Sequence, residues 1–208
     1  MRTLSYSNLL RTYLMARTDS LPEAHGIQKI IRNLRYHEAS RQWFAVLFVL
    51  LVSIMGEPQP IMLYIGTGIA AVGTLIRLWA SGHVMKNKEL ATDGPYAFVR
   101  HPLYVGNILL LVGFSMASSL WWSYLLMVAL LLFYYPPTIA YEDAKLHDFF
   151  GESWEAWSKT THALIPTLPK RTTGGGQSSW SFKKSLVQNG EPIIVAYLIG
   201  CLYLLYNS

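Results

Sequence analysis

The sequence predicts an all-α integral membrane protein with about five transmembrane helices and further amphipathic helices lying at the membrane interface. Three observations carry that expectation. Only 14% of the 208 residues are charged and 52% are hydrophobic, whereas a soluble domain averages roughly 25% charged. The apolar residues gather into long runs, as a bilayer requires. The basic residues collect in segments that fall on one side of a membrane once those runs are threaded through it.

Five runs are candidate spans: 43–56 (WFAVLFVLLVSIMG), 61 to about 82, 103–119, 120–141 and 192–206. About 20 helical residues cross a hydrocarbon core roughly 30 Å thick. The second and fourth runs meet that length, and the other three are short. With the N-terminus in the cytoplasm, the inner segments 1–41, 83–102 and 142–189 hold seven, three and six of the 17 Lys and Arg residues. The outer turns, 57–60 and the junction near Ser118 and Ser119, hold none. This asymmetry places residues 84–101 and 142–189 inside and the C-terminus outside. The remaining cation, Arg77, lies within the second span.

Two other segments have characters of their own. Residues 2–17 space Leu4, Leu9, Leu10, Tyr13 and Leu14 between basic residues, the pattern of a helix lying on a membrane surface. TTGGGQSS at 172–179 has the composition of a flexible linker. The expected organisation is therefore an interfacial N-terminal segment (1–41), a membrane core (42–169), a linker (170–189) and an accessory C-terminal span (190–208). The N-terminal 41 residues lack the apolar core and cleavage site of a signal peptide. Cys201 alone makes neither an internal disulfide nor a cysteine zinc cage. The net charge of +5 fits membrane topology better than nucleic acid, because no basic face is interleaved with stacking aromatics.

Between the second and third spans stands GPYAFVRHPLYVG, residues 94–106. Pro102 suits the first turn of a helix, so the third span starts there with His101 near its cap. The unpaired N–H groups of that helix start, with Arg100 and His101 beside them, favour an anionic or polar group at the membrane boundary. Tyr104, three residues after His101, shares its helix face. Each residue taken singly also fits an interfacial anchor, since Arg snorkels and Tyr belongs to aromatic belts.

A second polar cluster, YEDAKLHDFFGESWEAW at 141–157, follows the fourth span. Just before it, Pro136 and Pro137 free the carbonyls of Leu132 and Phe133. The expected results are an interrupted, bent helix and an opening lined by Phe133, Tyr134 and Tyr135. Arg77 is expected to face a cavity or a partner. GTG at 66–68 reads as small residues for close helix packing. His83 and His147 are candidate interfacial contacts, and no spacing of His with acids suggests a metal site.

ELATDGPYAFVRHPLYVG (89–106), followed after two apolar runs by EDAKLHDFFGESWEAWSKTTHALIP (142–166), resembles the isoprenylcysteine carboxyl methyltransferase family, which is related to the phospholipid N-methyltransferases. The resemblance covers about residues 62–168. It implies a helical membrane enzyme that uses S-adenosylmethionine, with the cofactor beside the cytoplasmic helix ends and a tunnel open to lipid. By position, Arg100, His101 and Tyr104 would contact the methionine part of the cofactor, with Tyr96 nearby, and the backbone around Leu90 and Ala91 would meet the adenine. Glu142 would face the cofactor's ammonium or the acceptor. Asp143 stands where the family has a second glutamate, and Trp154 and Trp157 stand where it often has tyrosines. Neighbouring helical residues are turned by about 100°, so Glu142 is expected to face the crevice shared with His101 while Asp143 points mainly elsewhere.

The acceptor implied is a lipophilic small molecule or a membrane lipid, and oligomeric state is left open. Arg77 or Arg100 would orient an acceptor carboxylate, and Glu142 or Asp143 would take a proton from an amine. Two rivals stand beside this reading. A membrane NADPH-dependent sterol or enone reductase typically carries PNYxGE, where this chain has PLYVGN (102–107). A non-enzymatic lipid-binding scaffold would not need two polar clusters at one membrane depth.

Overall fold

A computed structural model describes residues 25–36, 38–83, 90–168 and 180–208. The surface helix expected over 2–17 and the linker expected over 172–179 lie outside the described residues. Among the described residues the secondary structure is helical, with no strand. The elements are α1 (Gly26–Tyr36), α2 (Glu38–Ile54), α3 (Pro60–His83), α4 (Pro102–Ser118), α5 (Trp121–Phe150), α6 (Glu152–Ser158) and α7 (Glu191–Tyr206). A 3-10 turn at Gly94–Ala97 and a π-helical turn at Lys183–Gln188 complete the order.

Helices stand at all five runs read as spans. Two of them, α3 with 24 residues and α5 with 30, are long and apolar enough to cross a membrane. Their apolar counterparts α2, α4 and α7 have 17, 17 and 16 residues. Large apolar side chains such as Leu75, Leu125, Leu132 and Ile193 point outward, all more than 60% exposed, as they would against lipid rather than water.

Packing explains the choice of residues. Polar and apolar residues alternate at helical spacing along α1, leaving Ile27, Ile30, Ile31 and Leu34 exposed and no residue of that helix buried. The pattern is that of an interfacial amphipathic helix. Helices α3 and α4 touch backbone to backbone. A Cβ on Gly113 would lie 2.6 Å from the Gly66 carbonyl oxygen, and one on Gly73 would lie 2.8 Å from that of Gly106. Gly66 of the GTG triplet thus serves close approach, whereas Gly68 faces open space. At one end of this pair, Glu57 N donates to Ser118 O (3.0 Å) and Gln59 N to Ser119 Oγ (2.9 Å). The two lysine- and arginine-free turns therefore share one end of the molecule.

α5 corrects one expectation. It continues as helix through Pro136 and Pro137 to Phe150, nine residues past the end of the apolar run. The carbonyl of Phe133, deprived of its donor by Pro137, accepts from Arg35 Nε at 3.0 Å. A neighbouring helix thus supplies the missing hydrogen bond and keeps the helix from breaking.

The main core joins α2, α3, α4, α5 and α7 through residues including Phe48, Val52, Leu63, Phe114, Met127 and Leu205. The C-terminal helix, expected as an accessory after a linker, is seated in this common core through Leu198, Cys201 and Leu205.

Candidate active site

The stretch 94–106 is folded into a short polar platform. Gly94 takes a left-handed φ of 53°, and a Cβ there would strike the His83 ring at 2.5 Å, so glycine is what lets the turn sit on that imidazole. His83 itself is buried, its Nδ1 3.0 Å from the Trp79 carbonyl. The 3-10 turn then buries Tyr96, whose carbonyl accepts from Trp157 Nε1 (3.3 Å). Past α6 the chain returns beside the same strip. Arg100 N donates to His162 O (2.8 Å), His101 N to Ala163 O (3.0 Å) and Thr167 N to Phe98 O (2.9 Å). Helix α4 starts at Pro102 with His101 as its cap residue, as the sequence predicts.

Two carboxylates from α5 meet this platform. Asp143 Oδ2 lies 2.7 Å from Arg100 Nη2, and its Oδ1 accepts from Arg100 Nε (3.3 Å) and lies 3.0 Å from His101 Nε2. Glu142 accepts a hydrogen bond from Tyr104 Oη and lies 3.7 Å from His101 Nδ1. The imidazole, 6% exposed, is therefore held between the two acids, and it stacks on Tyr104 with ring centroids 5.4 Å apart.

The cavity that opens here is lined by Glu142 and not by Asp143, which turns to Arg100 and the second nitrogen of His101. Neighbouring helical residues are turned by about 100°. Here that angle places one acid at each nitrogen of a single ring. Burial opposes the charge of Asp143, but hydrogen bonds from His101 and Arg100 outweigh it and hold the carboxyl below its ordinary value. Burial, then the charge of Glu142, pushes the Tyr96 phenol well above its usual range.

Arg100 is more committed than the sequence suggested. Besides Asp143 it donates through Nη1 to Thr161 O (2.8 Å) and Ser158 O (3.3 Å). Four of the five donors of a guanidinium are thus engaged within the protein, and the group lies 5.9 Å from the Trp154 ring.

A cavity of about 1070 Å³ runs from this platform into the helices. Its polar end is lined by Leu90, Ala91, Tyr96, Arg100, His101, Tyr104 and Glu142, and its apolar end by residues such as Phe44, Val49, Leu110 and Leu198. Tyr134 and Tyr135 line it as expected. Phe133 turns away to Arg35, which lies 5.7 Å over its ring. Arg77 lines the cavity as well, donating to Asn107 Oδ1 and, at 2.9 Å, to Glu191 Oε1 from α7. His147 lies outside it, exposed and 3.0 Å from Glu155.

Among the lining residues that escaped the sequence reading are Arg41, Asn107 and Glu191. Arg41 of α2 donates to Tyr104 Oη (2.9 Å), with its guanidinium 4.9 Å from that ring's centre. Asn107 had been noted only as a departure from the reductase motif. Glu191 had a legible signal: an acid opening an apolar helix, in a chain with one cation inside a span.

The region that holds this site resembles known proteins. The phospholipid methyltransferase family model matches residues 61–153, which contain α3 from its second residue, the stretch 94–106, α4 and the second polar cluster as far as Ser153. The chain is 32% identical to the cobalt-zinc-cadmium resistance protein CzcN of Cupriavidus metallidurans over 173 residues, 78% of each chain. It is 40% identical to the protein-S-isoprenylcysteine O-methyltransferase of Schizosaccharomyces pombe over 86 residues, 40% of this chain and 36% of the relative. A probable enzyme of the same name from Oryza sativa is 24% identical over 142 residues, 68% of this chain and 72% of the relative. No solved structure matches. The match to CzcN across more than three-quarters of both chains places the two in one family, and the matches to the phospholipid methyltransferase model and to isoprenylcysteine O-methyltransferases mark it as an isoprenylcysteine methyltransferase-like family of membrane methyltransferases.

Proposed function

We propose that the protein transfers a methyl group from S-adenosylmethionine to a lipophilic or amphiphilic acceptor, with the donor at the polar end of the cavity and the acceptor at its apolar end. The observation that carries this is the continuity of the two ends in one cavity of about 1070 Å³, at the upper limit of the usual ligand range of roughly 300–1,000 Å³. The residues at the polar end suit the donor chemically. Leu90, Ala91, Tyr96 and Trp157 offer an apolar and aromatic wall for a flat base. Glu142, its side chain 31% exposed, offers a carboxylate to an ammonium. His101 and Tyr104 present a stacked polar pair, and Arg100 retains one N–H.

S-adenosylmethionine supplies a methyl group on a sulfonium sulfur, which keeps the bonding electron pair when a nucleophile takes the methyl. The protein's share is to hold the nucleophile in line and to keep water from it. The apolar end does the second. Glu142 is the residue placed to accept a proton from an acceptor that must lose one, and Tyr104, bonded between Arg41 and Glu142, fixes that carboxylate. Asp143 acts as a positioning residue through Arg100 and His101. The membrane orientation we propose has this polar end, the N-terminus and residues 142–189 on the cytoplasmic side.

Calorimetry with S-adenosylhomocysteine and NADPH on the detergent-solubilised protein tests the reading. S-adenosylhomocysteine should bind and NADPH should not. Glu142→Gln keeps the shape and removes the charge-assisted bond, so its affinity should fall about tenfold. Binding of NADPH in place of S-adenosylhomocysteine would support the reductase alternative.

A further inference from the structure

The arginine and lysine side chains that line the cavity are Arg41, Arg77, Arg100 and Lys145. The sequence offers Arg77 and Arg100 as partners for an anionic acceptor, and the fold commits both elsewhere. Arg77 is paired with Glu191 at 2.9 Å and donates to Asn107. Arg100 is held by Asp143 at 2.7 Å and donates to the carbonyls of Ser158 and Thr161. Lys145 precedes Leu146, which packs with Phe150 against Leu90, Tyr96 and Trp157. It therefore belongs to the donor's end.

Arg41 differs from these three. It enters from α2, outside the residues 61–153 that the family model matches. Its hydrogen bond and its ring contact are both with Tyr104, and no carboxylate of the described residues pairs with it. Of the five donors of a guanidinium, only one on Nη1 is engaged, at 2.9 Å. None of its nitrogens is sealed in the protein without a partner, as Arg77 Nε is. The apolar wall begins at the same place. Phe44, one turn further along α2, lies 5.9 Å from the Tyr134 ring, and Tyr135 lies 5.5 Å from Tyr104. Arg41 thus stands where the polar end of the cavity meets the apolar end, with an accessible edge of unused donors.

We propose that Arg41 is the specificity-determining residue for the acceptor: it holds an ionised carboxyl head at this junction and loses its grip once that head is methylated. This rests on the methyltransferase reading above. A guanidinium binds a carboxylate through charge-assisted bonds, commonly two in parallel. In the transfer, one carboxylate oxygen takes the methyl group. The C–S bond breaks with its electron pair left on sulfur, and no proton moves. The products are a neutral ester and the thioether of S-adenosylhomocysteine. The ester no longer carries the charge that matched Arg41, so the contact weakens as the product forms. A cavity that favours the acid over its own ester takes up acceptor and returns product to the lipid.

A matched pair of probes tests the proposal: 3-(farnesylthio)propanoic acid and its methyl ester. They are titrated without cofactor into the full-length protein in nanodiscs at pH 8, where the acid is ionised, with correction for partition into empty nanodiscs. The wild type should bind the acid at least about tenfold more tightly than the ester. Arg41→Gln should bring the two within a few-fold of each other, and Arg41→Lys, which keeps the charge without the fork, should fall between. Three results overturn the inference: a wild type that binds the ester as tightly as the acid, one that binds neither probe, or a folded Arg41→Gln that keeps the full preference. If Arg41→Gln does not fold, Arg41→Lys decides, and an undiminished preference in that variant overturns the inference. Titration with S-adenosylhomocysteine and its decarboxylated analogue identifies which carboxylate Arg41 holds. Loss of the preference for the intact molecule in Arg41→Gln would give Arg41 to the donor and sink the proposal. Failure of S-adenosylhomocysteine to bind the wild type counts against the methyltransferase reading, while the acid-to-ester preference reports on Arg41 independently.

Discussion

His101 is the residue on which the site turns, because a single imidazole separates two acids that are adjacent in sequence. Asp143 takes Nε2 together with Arg100, and Glu142 stands at Nδ1 with Tyr104. Asp143→Asn removes the charge that compensates Arg100. The loss should be about 1.5–3 kcal/mol of stability, as for a hydrogen bond to a charged group, and toward the low end because the pair is 16% and 17% exposed. The pH dependence has a definite sign. A carboxyl whose folded pKa is depressed contributes stability that is complete above its unfolded value of about 3.9 and is lost as pH falls through the lower folded value. Thermal unfolding in detergent should therefore show the wild type losing stability in acid below about pH 4. Asp143→Asn should flatten that limb, and an identical acid limb in both proteins would remove Asp143 from the network. The sequence placed Arg100, His101 and Tyr104 together by helix spacing and put both acids at the same depth. It expected Glu142 to face the crevice shared with His101 and Asp143 to point mainly elsewhere, because a turn of about 100° separates neighbouring side chains, and the cavity is lined by Glu142 and not by Asp143. The second nitrogen of the imidazole, with Arg100, receives Asp143 instead.

At the scale of elements, α3 and α4 form the backbone-contact pair on which the platform rests. Their contact is unusually specific about side-chain size. A Cβ on Gly113 would meet the Gly66 carbonyl oxygen at 2.6 Å and Ala70 N at 2.7 Å, both of them backbone atoms with no freedom to rotate away. At Gly68, two residues after Gly66, a Cβ meets nothing within 4 Å. Gly113→Ala should therefore push the helices apart and cost roughly 1–3 kcal/mol, as overpacking does. Gly68→Ala should be neutral or slightly stabilising through helix propensity. Unfolding of the two variants in one detergent checks the contrast, and equal stabilities would mean that the helices do not approach so closely. The small-residue pattern made such a contact legible in advance, but composition does not say which glycine of a triplet faces the partner. The proline pair in α5 shows the same boundary. The freed carbonyl was foreseeable from Pro137 alone, while its donor, Arg35, comes from 98 positions earlier in the chain. Only the tertiary arrangement reveals that the helix runs on.

For the whole molecule, the question is how the two ends of the cavity are divided along the chain. The residues proposed to hold the cofactor, from Leu90 to Glu142, all fall before Pro169, and the C-terminal helix closes the other end with Glu191, Ile194 and Leu198. The five runs and the charge asymmetry made the helices legible. The seating of α7 was not, because a glycine-rich stretch before it reads as separation, whereas Arg77 and the side chains of α2 and α3 draw it in. Truncation after Pro169 should accordingly have two distinct effects. It uncovers apolar residues such as Phe48, Val52 and Leu111, packed in the core that α7 completes, and takes Glu191 from Arg77, so stability should drop by several kcal/mol, as when a buried ion pair loses one partner. The polar end keeps its platform, so protein that remains monodisperse should bind S-adenosylhomocysteine within a few-fold of the full chain. Orientation can be checked in the same preparations with single cysteines at the exposed positions Gln59 and His162, since Cys201 is buried. A membrane-impermeant thiol reagent should reach Gln59→Cys from outside the cell and His162→Cys only after lysis. Complete loss of S-adenosylhomocysteine binding in a folded truncation would show that α7 belongs to the cofactor site, and labelling of His162→Cys in intact cells would invert the topology.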